Sequence, residues 1–84
     1  MSATVKVLLF GAAREAANTS EREFSLPVPI TSAQAFKIVL SEFPALSERF
    51  GKSLLLAINH NYAQGEEIIE DGDELAIFPP VSGG

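Results

Sequence analysis

The chain has 84 residues, 46% of them hydrophobic and 20% charged, with a formal net charge of −5 and no cysteine. That is enough for one core and too little for a second, too apolar for a disordered segment, and incompatible with a disulfide framework, thiolate metal site or persulfide carrier. The acidic balance, with no Lys or Arg after Lys52, excludes the clustered cations that nucleic-acid phosphates require.

No stretch approaches the roughly 20 apolar residues of a membrane span. The apolar part of the N-terminus, Val7-Leu8-Leu9-Phe10, is shorter than the h-region of a signal peptide. A soluble cytoplasmic protein is expected, bound to neither nucleic acid nor membrane.

Thr4–Phe10 is rich in Val and Leu and alternates, which predicts a strand. Gly11 breaks it, and Ala12–Ala17 is a short helix former that ends in the turn-prone Asn18-Thr19-Ser20. Arg22–Val28 alternates again, and Pro27 within it marks an edge strand, where a missing N–H does no harm. Thr31 and Gln34 have capping-box spacing at the start of a helix. Phe36, Val39, Leu40 and Phe43 then recur as one buried stripe. Pro44 closes that helix, and Leu46–Phe50 forms a further turn. The apolar run Leu54–Ile58 predicts a strand covered on both faces or nearly so. Asn59-His60-Asn61 predicts a turn, Tyr62–Gln64 a short strand, Ile68-Ile69 a return to the core, and Glu74–Phe78 the last strand.

One main amphipathic helix over a mixed sheet is a two-layer α+β arrangement. With the first and last strands as parallel central neighbours it is the ubiquitin-like β-grasp, a single domain over 1–84 with a flexible C-terminal tail at 79–84.

Catalytic constellations are nearly absent. His60 is the one histidine, set in a polar turn, and Asn59 and Asn61 beside it do not complete a metal site. Asp71-Gly72-Asp73-Glu74 lacks the spacing of a calcium loop and predicts a hairpin turn. No metal is expected. The acidic run Glu66–Glu74 is either a solvated turn or a surface that attracts a basic partner.

What remains is the ending Pro79-Pro80-Val81-Ser82-Gly83-Gly84. The prolines stiffen the exit from the fold, and the glycines leave the terminal carboxylate unobstructed. Fully extended, Pro80–Gly84 would reach roughly 16–18 Å, enough to cross the wall of another protein's active site. ATP can convert such a carboxylate to an acyl-adenylate, from which sulfide displaces AMP to leave a thiocarboxylate; Gly84 is then the reactive position. Strand parity adds a docking surface. If Val5, Val7, Leu9, Leu75 and Ile77 face the helix, Leu8, Phe10, Ala76 and Phe78 form an outer apolar patch at the base of the tail. The competing expectation is that the Ala12–Ala17 helix covers that face.

The segment from Gly72-Asp73-Glu74-Leu75-Ala76-Ile77-Phe78 through Gly84 resembles the small subunit of molybdopterin synthase, the MoaD family. The resemblance continues in Val5–Phe10 with Arg14-Glu15, and in Leu55-Leu56-Ala57-Ile58-Asn59, and it covers essentially the whole chain. It implies a sulfur carrier for molybdenum cofactor biosynthesis, not an enzyme on its own and with no bound cofactor. An E1-like, MoeB-like adenylating enzyme would consume ATP to activate Gly84, and a sulfurtransferase system would form the thiocarboxylate. Pro79, Pro80, Val81, Ser82 and Gly83 would insert into the MoaE-like large subunit, in a heterotetramer of two small and two large subunits. Sulfur would pass to cyclic pyranopterin monophosphate, building the dithiolene of molybdopterin. The family's apolar partner-binding positions fall on Phe10, Tyr62 and Phe78. Ser82 stands where Thr is also familiar.

Three other readings share the fold: a sulfur carrier for thiamin synthesis or tRNA thiolation, a modifier that joins Gly84 to target lysines, and an interaction module with an inert tail. The Phe78-Pro79-Pro80-Val81 approach favours the molybdopterin family over the other two sulfur carriers.

Overall fold

The computed structural model describes residues 1–80. In chain order these form β1 (Ser2–Leu9), α1 (Gly11–Ala17), β2 (Glu21–Pro27), α2 (Ser32–Glu42), α3 (Pro44–Phe50), β3 (Leu55–Ile58), β4 (Asn61–Tyr62) and β5 (Glu74–Phe78). The strands make one sheet in the order β2-β1-β5-β3-β4. β1 and β5 are parallel at its centre, and the other pairings are antiparallel. This is the expected ubiquitin-like β-grasp, with Pro27 on an edge strand as its missing donor requires.

Alternation sets which face of the sheet is dry. Ala3, Val5, Val7 and Leu9 of β1 and Leu75 and Ile77 of β5 are buried. Their registers, Val7↔Leu75 and Leu9↔Ile77, place them side by side on one face. The helices cover that face. Fully buried Leu9, Leu26 and Leu46 each contribute about 1.5–3 kcal/mol by leaving water.

α2 starts on the predicted capping box. Thr31 accepts from the Gln34 N–H at 3.2 Å, and Gln34 Oε1 accepts from the Thr31 N–H at 3.0 Å, an arrangement that contributes about 1 kcal/mol. The buried stripe is offset from the expected one. Ser32, Ala35, Val39 and Phe43 point inward, while Phe36 and Leu40 flank them half-buried. A small residue, Ala35, lets the helix approach the sheet, and its larger neighbours fill the margins. Pro44 follows the α2 C-cap Phe43 and opens α3 at its N1 position, so the predicted single turn is a seven-residue helix.

α1 settles the competing expectation for the outer face. Ala13 is fully buried in the core, and α1 packs against α3 and the core side of β5, leaving the other face of the sheet open. Gly11, at φ +57, makes the turn from β1 into α1 in a conformation that favours glycine.

Three further expectations need correction. Leu55 is 37% exposed, because β3 alternates: Leu56 faces the core and Leu55 faces outward. Of the pair Ile68-Ile69, Ile69 is buried and Ile68 is 57% exposed, since a single extended step puts neighbours on opposite sides. The short strand is Asn61–Tyr62 instead of Tyr62–Gln64. No helix among the described residues is long and apolar enough to cross a membrane.

Candidate functional site

The open face of the sheet carries a groove of about 320 Å³. Its floor is Leu8, Ala57 and Ala76, supplied by three adjacent strands through the registers Leu8↔Ala76 and Ala57↔Ala76. Phe10, Tyr62 and Phe78 wall it. Phe10 is the N-cap residue of α1 and is 50% exposed. Tyr62 is 70% exposed on β4, and Phe78 is half-buried as the last residue of β5. The three aromatic positions expected to bind a partner therefore line one groove. The parity-derived patch of Leu8, Phe10, Ala76 and Phe78 lies in it complete.

The far end of the groove is polar, formed by His60 and Glu74. Asn59 and His60, at φ 48 and φ 75, make the two-residue turn between β3 and β4. Positive φ at both positions is the type I′ pattern that matches strand twist. Asn59 holds the turn to β5: its Nδ2 donates to Asp73 Oδ1 at 3.0 Å, and its Oδ1 accepts from the Glu74 N–H at 3.0 Å. This brings His60 Nε2 to 3.8 Å from Glu74 Oε1. Sequence reasoning misses Ala57, His60 and Glu74 as groove residues. The alternation of β3 and of β5 could have supplied Ala57 and Glu74; His60 depends on the pairing of its turn with a distant segment.

Much of the acidic run is committed to internal bonds. Glu67 accepts from Ser32 Oγ at 2.6 Å, from the Gln64 N–H at 2.7 Å and from the Gly65 N–H at 3.0 Å. Donation by Ser32, then by these backbone groups, lowers its pKa from 4.5 to about 2. Asp71 Oδ1 accepts from the Thr4 N–H at 2.7 Å, and Asp73 Oδ2 from the Glu70 N–H at 2.8 Å. These acids clamp the loop before β5 onto β1 and α2.

Among the described residues, no three His, Asp or Glu side chains gather as a metal site would require. His60 is the groove's one imidazole, with its side chain 89% exposed. The groove offers shape and apolar area, which suits binding better than chemistry.

Of the expected tail residues, Pro79 and Pro80 leave β5 without regular structure, half-buried and exposed respectively. Val81, Ser82, Gly83 and Gly84 lie outside the described residues. Phe78, the last residue of β5, is both a wall of the groove and the root of this segment.

The ThiS family model matches residues 7–84. The chain belongs to the ThiS family. It is 36% identical over 83 residues to the molybdopterin synthase sulfur carrier subunit of Arabidopsis thaliana, covering 99% of this chain and 85% of that one. Among solved structures it resembles the small archaeal modifier protein 1 of Methanosarcina acetivorans, with 34% identity and a TM-score of 0.78 over 100% of this chain and 99% of that one. It also resembles a chain in the complex of subunits 1 and 2 of the molybdopterin-converting factor from Helicobacter pylori. There the identity is 26% and the TM-score 0.64, over 96% of this chain and 99% of that one.

Proposed function

We propose that this protein is the sulfur-carrying small subunit of a molybdopterin synthase. It contributes no catalytic group of its own; it delivers sulfur as a C-terminal thiocarboxylate on Gly84. An E1-like adenylating enzyme transfers AMP from ATP to the Gly84 carboxylate, releasing pyrophosphate. A sulfur donor then displaces AMP, so one carboxylate oxygen leaves with the phosphate and sulfur takes its place. The large synthase subunit docks on the outer groove through Phe10, Tyr62 and Phe78. The segment Pro79–Gly84 runs from that groove into its active site, where sulfur passes to cyclic pyranopterin monophosphate.

The observation that carries this reading is the match, across nearly the whole chain, to a molybdopterin synthase sulfur carrier, together with an aromatic groove at the root of the Gly-Gly segment. The test is reconstitution with a large subunit and cyclic pyranopterin monophosphate. Thiocarboxylated protein should yield molybdopterin, and a Gly84 deletion of unchanged fold should yield none. Product from the deletion would reject the proposal.

The likeness to an archaeal modifier protein favours a second reading, in which the activated Gly84 is captured by a lysine amine of another protein. Its sign is a set of higher-mass conjugates in cells that disappear with Gly84, alongside failure of the reconstitution.

A further inference from the structure

The polar end of the groove constrains what can dock there, given the reading that the large subunit occupies this face. Glu74 lines the groove with its side chain 37% exposed. Any partner that fills the groove strips water from that carboxylate. A charge so covered is costly unless it is paired. Among the described residues, the one ion pair its carboxylate makes is with His60, at 3.8 Å and itself largely in solvent. Lys6 stands beside Glu74 in the β1–β5 register, yet its ammonium turns to Glu21, 4.0 Å away. Two earlier acids of the same segment differ: Asp73 and Glu67 use both carboxylate oxygens internally.

The surroundings reinforce the sign. Glu21 pairs with Leu8 and Glu23 with Lys6, so both acids share the outer face with the groove. The outer face thus carries three carboxylates, Glu21, Glu23 and Glu74, against the one ammonium of Lys6, and of these Glu74 is the one that lines the groove.

We propose that the docking segment of the partner places a guanidinium or ammonium on Glu74, next to the apolar side chains that fill the groove. Glu74 is then a specificity contact: it selects a partner whose apolar protrusion is flanked by a cation. Glu21 and Glu23, farther out, steer association without touching the occupant.

The full-length protein and purified large subunit would be titrated, with association and dissociation rates measured at low and high salt. The variants are Glu74→Gln, Glu23→Gln and Phe78→Asp. Glu74→Gln should weaken affinity by about tenfold or more, mostly through faster dissociation, as loss of one member of a desolvated charge pair does. Glu23→Gln should change only the association rate and its salt dependence. If Phe78→Asp weakens binding while Glu74→Gln dissociates like the wild type, the cation contact is wrong and the docking face stands. If Phe78→Asp also binds like the wild type, the docking face itself is wrong.

Discussion

The rings of Tyr62 and Phe78 lie 5.8 Å apart, centroid to centroid, tilted by 52° across the outer face of β3. Tyr62 belongs to a two-residue strand, and Phe78 ends the central strand from which the Gly-Gly segment departs. Such a pair is worth about 0.5–1.5 kcal/mol beyond its area. It joins the sheet edge to the root of the tail, so a partner that grips the aromatics also sets where the tail begins.

Replacing Phe78 by Asp puts a charge into that apolar contact and should weaken large-subunit binding by at least about tenfold. Tyr62→Ala should weaken it in the same direction, while the far-ultraviolet circular dichroism of both variants stays native. Titration calorimetry with unchanged affinity for both would remove the groove from the interface.

The two faces of the sheet should separate stability from docking. Leu46 is fully buried on the inward side of α3, against the covered face of the sheet, so Leu46→Ala should cost about 2–5 kcal/mol in urea unfolding. Leu55 faces outward, and Leu55→Ala should cost under about 1 kcal/mol. Equal losses at the two sites would contradict the assigned parity of β3.

The same parity makes the outer groove legible in the sequence. Leu8, Phe10, Ala76 and Phe78 follow from alternation once β1 and β5 are neighbours, and β5 itself runs over the expected Glu74–Phe78. The capping box at Thr31 and Gln34 is legible because it is local. The offset of the α2 stripe to Ala35 is not, because the approach distance of helix and sheet, a tertiary quantity, decides which residue is central. The role of Glu67 is equally hidden: its partner Ser32 lies 35 positions away. In sequence His60 reads as a solvated turn residue, and only the pairing of Asn59 with Asp73 and Glu74 brings it to the groove.

Glu67 should give the fold a specific acid sensitivity. Its folded pKa, about 2, lies below the ordinary 4.5. The carboxylate's contribution is therefore fully present above about pH 4.5 and is lost as pH falls toward 2. Glu67→Gln should be less stable than the wild type at neutral pH, with the gap closing across that window. Urea unfolding at about pH 7 and about pH 2.5 measures it. Stability curves that stay parallel over that range would show that the Ser32–Glu67 contact does not act as described.

Sulfur carriage at Gly84 is read out by the intact mass of the protein after incubation with ATP, an E1-like adenylating enzyme and a sulfide source. A mass gain equal to the exchange of one oxygen for sulfur, located by fragmentation at Gly84, is expected. An unchanged mass, with the same enzyme active on a control carrier, would contradict it.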